Sequence, residues 1–358
     1  AFRNDGTDAD FEQRAGDHHD GMEFFGLSAG GAPSTTSSDR GLLAINHEAT
    51  TDQQLASFFL HPNGGTTTLP RPAAEVDKEV ALHGVGVIEV RKNAAAWQYL
   101  KDSAFNRRLT ALTEIELSGP ARGNPLLATR YSPTGVRTRG TLNNCGTGKT
   151  PWGTFLTGEE NWAGYFTRGS ADDAARGNDK SVVSLKRYGR NQGAASRHGW
   201  DTGGAEDKYA RWNIGRTGAS PDGSDDYRNE MNGMGYIVEI DPYDKSKAVK
   251  KRTALGRFAH ESAAFSVPAA GQPLAVYMGD DSRNEYIYKF VSNAAWSAAD
   301  AAPPDRIAAG DKYLDSGKLY VAKLNADGSA QWIELSMANA LVAAYGVYKF
   351  ADQGDILV

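Results

Sequence analysis

An all-β fold, arranged as a β-propeller, is predicted by three features of this 358-residue sequence. Glycine is abundant, with 40 residues or about one in nine against an ordinary share of ~7%, which favours many tight turns and therefore many short strands. Runs of β-branched and aromatic residues alternate with polar ones over strand-like lengths. These runs are punctuated by Gly, Asp and Asn turns, and strand–turn–strand units recur at a spacing suited to propeller blades, although neither a WD nor a kelch signature is present.

Along the chain, residues 1–40 read as a surface arm, carrying Asp17-His18-His19-Asp20 and a Gly/Ser/Thr-rich stretch from Gly30 to Ser38. The first strand is expected at 41–45, running directly into Asn46-His47-Glu48, and the next at 84–90. The segment 152–166 mixes aromatics, Thr and Gly as a buried strand and its exit turn do. Residues 170–226 are polar and aperiodic, which predicts a long insertion or loop anchored by Trp200 and Trp212. Strands are then expected at 235–240, 274–278 and 285–291, and a hairpin joins 318–324 to 331–335 across Asn325-Ala326-Asp327-Gly328. Short helices are expected at 93–101 and 336–345. The last residues, Ile356-Leu357-Val358, follow a Gly-Asp turn and read as a strand cut short.

Composition excludes several functional classes. With 40% hydrophobic and 23% charged residues the chain is neither disordered nor a coiled coil. No apolar run approaches ~18 residues, so no transmembrane helix is expected. A net charge of −5 argues against coating nucleic acid. The single cysteine, Cys145, forbids an internal disulfide and leaves the redox compartment open.

Four segments place hard acidic ligands at strand ends: Asn46-His47-Glu48; Asn143-Asn144-Cys145 with Glu159-Glu160; His260-Glu261; and Gly279-Asp280-Asp281. In a propeller, strand ends from separate blades converge near the central channel, and carboxylates gathered there repel unless cations neutralise them. Six to eight oxygen ligands suit Ca²⁺, whereas an added thiolate points to a transition metal. Taken singly, each acid is ordinarily a solvated turn residue, and a lone cysteine is ordinarily a small buried group. Glu159 and Glu160 are adjacent, so on a strand they face opposite sides and at most one need point to a site. His47 and His260 can simply pack while the following Glu binds. Gly146-Thr147-Gly148-Lys149-Thr150 is half a P-loop without its first glycine, and ATP binding there is discounted.

Together, NNCGTGKTPWGTFLTGEENW (143–162), INHE (45–48), GRFAHESAAF (256–265) and GDDSRNEYIYKF (279–290) resemble the PhoX-type bacterial alkaline phosphatases, in one collinear order from about residue 17 to the end. That resemblance implies a monomeric six-bladed propeller exported by the twin-arginine route to the periplasm or beyond. It also implies hydrolysis of phosphate monoesters on a cluster of ferric (Fe³⁺) and calcium (Ca²⁺) ions. It makes Glu48, Cys145 and Glu261 the iron-side, catalytic ligands. Glu160 and Asp281 become calcium-side ligands, with Glu159 and Asp280 as their neighbours. The family's further Arg-Pro-Glu motif has no counterpart here, since Arg71-Pro72 is followed by Ala73; the expectation is a single propeller domain over 1–358 that lacks its C-terminal blades and supplies about four. The alternative is a non-catalytic, calcium-stabilised propeller with a binding or structural role. A lactonase-like hydrolase using one calcium would leave Cys145 without a task.

Overall fold

A computed structural model of the chain describes residues 2–50 and 60–358, which are mostly β. The first sheet comprises β1 (His19–Gly26), β2 (Arg40–His47), β3 (Gly84–Asn93), β4 (Ala96–Tyr99) and β5 (Arg107–Leu109); its order is β1-β2-β3-β4, with β5 also on β3. The second holds β6 (Glu114–Ser118), β7 (Arg137–Arg139), β8 (Asn144–Lys149), β9 (Phe155–Glu159), β10 (Ile237–Ile240) and β11 (Lys250–Arg252), in the order β7-β6-β11-β10-β9-β8. The third runs in sequence order through β12 (His260–Phe265), β13 (Pro273–Asp280), β14 (Ile287–Ala295), β15 (Gly317–Leu324) and β16 (Ala330–Glu334). All pairings are antiparallel except β6 with β11. These strand orders do not join into a closed ring.

Alternation decides which faces are buried. Leu42 and Ala44 of β2 and Val85 and Val87 of β3 turn inward, and with Phe25, Ile115, Phe155 and Val238 they make a core shared by the first two sheets. A second core joins Leu117, Trp152 and Ile237 to Val276, Met278 and Phe290, locking the second sheet against the third. The β15–β16 hairpin forms as its Asp-Gly step predicts, with Gly328 taking the positive φ of 83° that the turn needs.

Several expectations change. The N-terminal arm is not all surface: β1 lies within it and pairs with β2 over Met22↔Ile45 to Gly26↔Gly41. The helix expected at 93–101 is absent, because Ala94 turns the chain at φ 51° and Ala96–Tyr99 pairs back onto β3, with Trp97 edge-on to Phe24. Only Ala340–Ala343 is helical within 336–345, capped by Asn339. The terminal segment is a short helical turn, Gln353–Ile356, and not a strand. Helices Ala73–Leu82 and Arg306–Leu314 were not foreseen.

Residues 170–226 are no loose loop either. They carry the helix Lys180–Arg187 and are stitched by buried ion pairs, among them Arg176–Asp172 at 2.7 Å and Arg228–Asp226 at 2.8 Å. Trp200 and Trp212 are the buried anchors expected, packed with Trp162, Tyr165 and Val76. Among the described residues no helix is long and apolar enough to cross a membrane.

Candidate metal centre

Six potential ligands converge from the three sheets, two from each. The first sheet supplies Asp20 on β1 and Glu48 just past β2; the second supplies Cys145 on β8 and Glu160 just past β9. The third supplies Glu261 on β12 and Asp281 just past β13. The three mid-strand ligands each sit where the ladder slips: register shifts lie between His19 and Met22, between Asn144 and Thr147, and between His260 and Ala263. A bulge breaks the alternation of side chains and so re-aims one of them.

The strands meet closely because glycines line the contact. A Cβ on Gly146 would stand 1.3 Å from the Glu261 carbonyl oxygen, and one on Gly148 would stand 2.1 Å from that of Ala263. Gly146 and Gly148 both face the backbone of β12, so the half P-loop pattern serves backbone approach between β8 and β12, not phosphate binding. Gly21 does the same on the β1 side, where a Cβ would come within 2.3 Å of the Thr147 methyl.

Ligand atoms of Asp20, Cys145 and Glu261 lie within 4.8 Å of one another, as do those of Glu48, Cys145 and Glu160 and those of Glu160, Glu261 and Asp281. The Cys145 thiol donates to Asp20 Oδ2 at 2.8 Å and faces the Glu261 carboxylate at 3.2 and 3.4 Å. Burial, with the negative charges of Glu48, Glu261 and Asp281, pushes the Glu160 carboxyl up to about 7. Burial and the Asp20 charge likewise raise Glu48. Cys145 is raised too, by burial and then by its bonds to Asp20 and Glu261. A thiol and five carboxylates packed together at this cost in charge fit cations: oxygens for calcium, sulfur for a transition metal.

The other expected residues stand elsewhere. Glu159 turns away from the cluster into the second sheet, ion-paired to fully buried Lys251 at 2.7 Å and accepting from the Gly235 and Tyr236 amides. Its neighbour Glu160 points to the site, as alternation requires for one of the two. Asp280 takes no part in the convergent groups; it accepts from the Ser282 amide and lines an adjoining cavity, with its carboxyl raised by burial. His260 is buried, packs on Phe258 and faces the Gly256 carbonyl, and burial holds it neutral at about 3. His47, at about 2, is also kept neutral by burial. Asp20 was missed as a ligand, although it closes the Asp-His-His-Asp run that stands out in the arm.

Beside Glu160 lies a cavity of about 400 Å³ whose wall includes Arg187, Arg190, Arg197 and Arg283 against Asp280 and Glu285. Arg187 is paired with Glu285 at 2.6 Å, and its positive charge with that of the other three suits an anionic occupant. A different acidic group, His61 with Glu75 and Glu79, is already satisfied. Glu79 is buried, yet His61 and Arg71 hold its carboxyl below the usual range, and Trp200 donates to it at 2.7 Å.

No curated protein sequence matches the chain. A family model, alkaline phosphatase PhoX, matches residues 2–358. Among solved structures, Pseudomonas fluorescens PhoX in complex with vanadate, a transition state analogue, is similar at a TM-score of 0.77 and 36% sequence identity. The similarity covers 97% of this chain and 53% of that one, so the chain spans about half the length of the protein it matches. With the family match running over nearly every residue, and five of the six convergent residues lying in the segments that carry the resemblance, the chain belongs to the PhoX alkaline phosphatase family.

Proposed function

We propose that the chain is the ligand-bearing part of a phosphate monoesterase of the PhoX type, with Glu48, Cys145 and Glu261 on the iron side, joined by Asp20, and Glu160 and Asp281 on the calcium side. The single observation that carries this is the convergence of four carboxylates on one thiol, with Asp281 joining through Glu160 and Glu261, from all three sheets. Fe³⁺ and Ca²⁺ held there would offset negative charge on the phosphoryl oxygens and lower the barrier to attack at phosphorus. The chain's own contribution is to release the protons that Glu160 and Cys145 otherwise retain, and to hold each donor by a bulge or strand end. The arginine-lined cavity beside Glu160 offers an anionic ester its approach. Read in this way, the three sheets are successive blades of a propeller, with 170–226 as an insertion. Export to the periplasm by the twin-arginine route and action as a monomer accompany the same proposal.

Elemental analysis of the purified chain, with p-nitrophenyl phosphate hydrolysis measured in added Ca²⁺ and Fe³⁺ and in the presence of vanadate, tests it. Bound iron and calcium with vanadate-sensitive release of p-nitrophenol is the expected result. Neither metal bound would sink the proposal for this chain. Calcium bound without hydrolysis would support the alternative, a non-catalytic calcium-stabilised domain.

A further inference from the structure

We infer that Asn143 is the positioning residue of the metal centre: it clamps the backbone of Glu48 and Glu160 at fixed places beside Cys145. The inference rests on the reading of the six-residue cluster as a metal centre and adds to it a residue that binds no cation itself. Asn143 lies two residues before Cys145, is 2% exposed and has φ 49°. Asn is among the few residues other than Gly that accept this left-handed conformation readily.

The turn lets one residue reach three separate segments. The Asn143 carbonyl accepts from the Glu160 amide at 3.0 Å, and its side-chain Oδ1 accepts from the Asn161 amide at 2.6 Å. Its Nδ2 donates to the Tyr165 hydroxyl at 3.2 Å and to the Glu48 carbonyl at 3.5 Å. The orientation of the amide follows from its partners: a backbone N–H can only donate, so Oδ1 must face Asn161, which leaves both Nδ2 hydrogens for Tyr165 and Glu48. Tyr165 is itself held by His83, whose Nε2 lies 2.9 Å from the hydroxyl, and both rings are buried. The side chain thus spends every hydrogen-bonding group on joining the end of β2, the end of β9 and a buried ring anchor. A turn residue with no further role needs only its own backbone geometry, and none of these three side-chain bonds.

Groups that hold metal ligands in place typically account for ~10–100-fold in metal affinity. The test uses the whole chain stripped with chelator and then titrated with Ca²⁺ and Fe³⁺ together. The metal-induced rise in Tm gives a midpoint, and elemental analysis gives the metals bound per chain. Asn143→Gly keeps the left-handed backbone accessible while removing the side-chain bonds. Tyr165→Phe removes one hydroxyl and little else, and carries the test if Asn143→Gly does not fold. A midpoint ~10–100-fold higher in Asn143→Gly, and raised in Tyr165→Phe, is expected. A lower metal-free Tm with an unchanged midpoint would make Asn143 structural only and overturn the inference. A wild-type chain whose Tm ignores both ions would overturn the metal-centre reading, and the inference with it.

Discussion

The thiol of Cys145 is the residue on which the site turns. It is the only sulfur donor of a cysteine in the chain, and it stands between Asp20 and Glu261. Cys145→Ala should remove iron from the purified protein while costing about 1 kcal/mol of stability, the centre of the range for single mutations. Elemental analysis beside a denaturant curve checks both parts, and iron at wild-type stoichiometry would refute the ligand role. Glu160 carries a pH signature. Its folded-state carboxyl is raised from 4.5 to about 7 by burial and neighbouring charge, so in metal-free protein its contribution to stability is fully present below pH 4.5 and is lost as pH rises to about 7. Relative to Glu160→Gln, the metal-free wild type should therefore lose stability across that window, and a flat difference would contradict the assignment. Glu159, one residue away, holds the second sheet together instead. Glu159→Gln leaves the Lys251 charge buried and uncompensated, which typically costs ~3–5 kcal/mol. Metal content of the folded fraction should not change.

At the scale of elements, the glycines of β8 decide whether the site assembles. Gly146→Ala places a methyl against the Glu261 carbonyl, so β8 and β12 must separate. Overpacking of this kind costs ~1–3 kcal/mol, and the displacement should weaken metal retention as well. Gly279→Ala on β13 is the contrast, since no atom lies within 4 Å of the added carbon. Urea denaturation of the two variants side by side should show a loss in the first and little change in the second. The bulges on β1, β8 and β12 act with the glycines: the glycines bring the strands together, and the bulges aim Asp20, Cys145 and Glu261 at one point.

On the scale of the molecule, ligands drawn in pairs from three sheets make a bound metal a staple between them. Ligand that binds only the folded state stabilises it by ~2.7 kcal/mol at a hundredfold excess over Kd. Chelation should accordingly lower the Tm of the whole chain in one cooperative transition, and not melt one sheet alone. Calorimetry with and without chelator distinguishes these, and an unchanged transition would mean that the sheets are held by their cores alone. Those cores are substantial: Trp152, Phe155 and Trp212 are fully buried, and the Arg252–Glu239 ion pair is sealed with them at 2.6 Å.

Much of this was legible in the residues. Alternation and turn chemistry are local, so β2, β3, β10, β13, β14 and the β15–β16 hairpin could be read directly from runs of a few residues and an Asp-Gly step. The segments holding Glu48, Cys145, Glu159-Glu160, Glu261 and Asp280-Asp281 stood out because each follows or interrupts such a run, and the family resemblance singled out Glu48, Cys145, Glu160, Glu261 and Asp281 among them. What the sequence could not show depends on contacts between distant segments. Asp20 stands 125 residues from the thiol it meets, and the Asp-His-His-Asp run it closes does not by itself tell a ligand from a solvated acid. Whether Glu159 or Glu160 faces the site depends on which face of β9 looks inward, and buried Lys251 settles that from 92 residues away. Ala-rich residues 93–101 favour a helix by propensity, yet pairing with β3 overrides it. The tertiary structure alone decided these, because strand pairing and burial reward contacts that local preference does not contain.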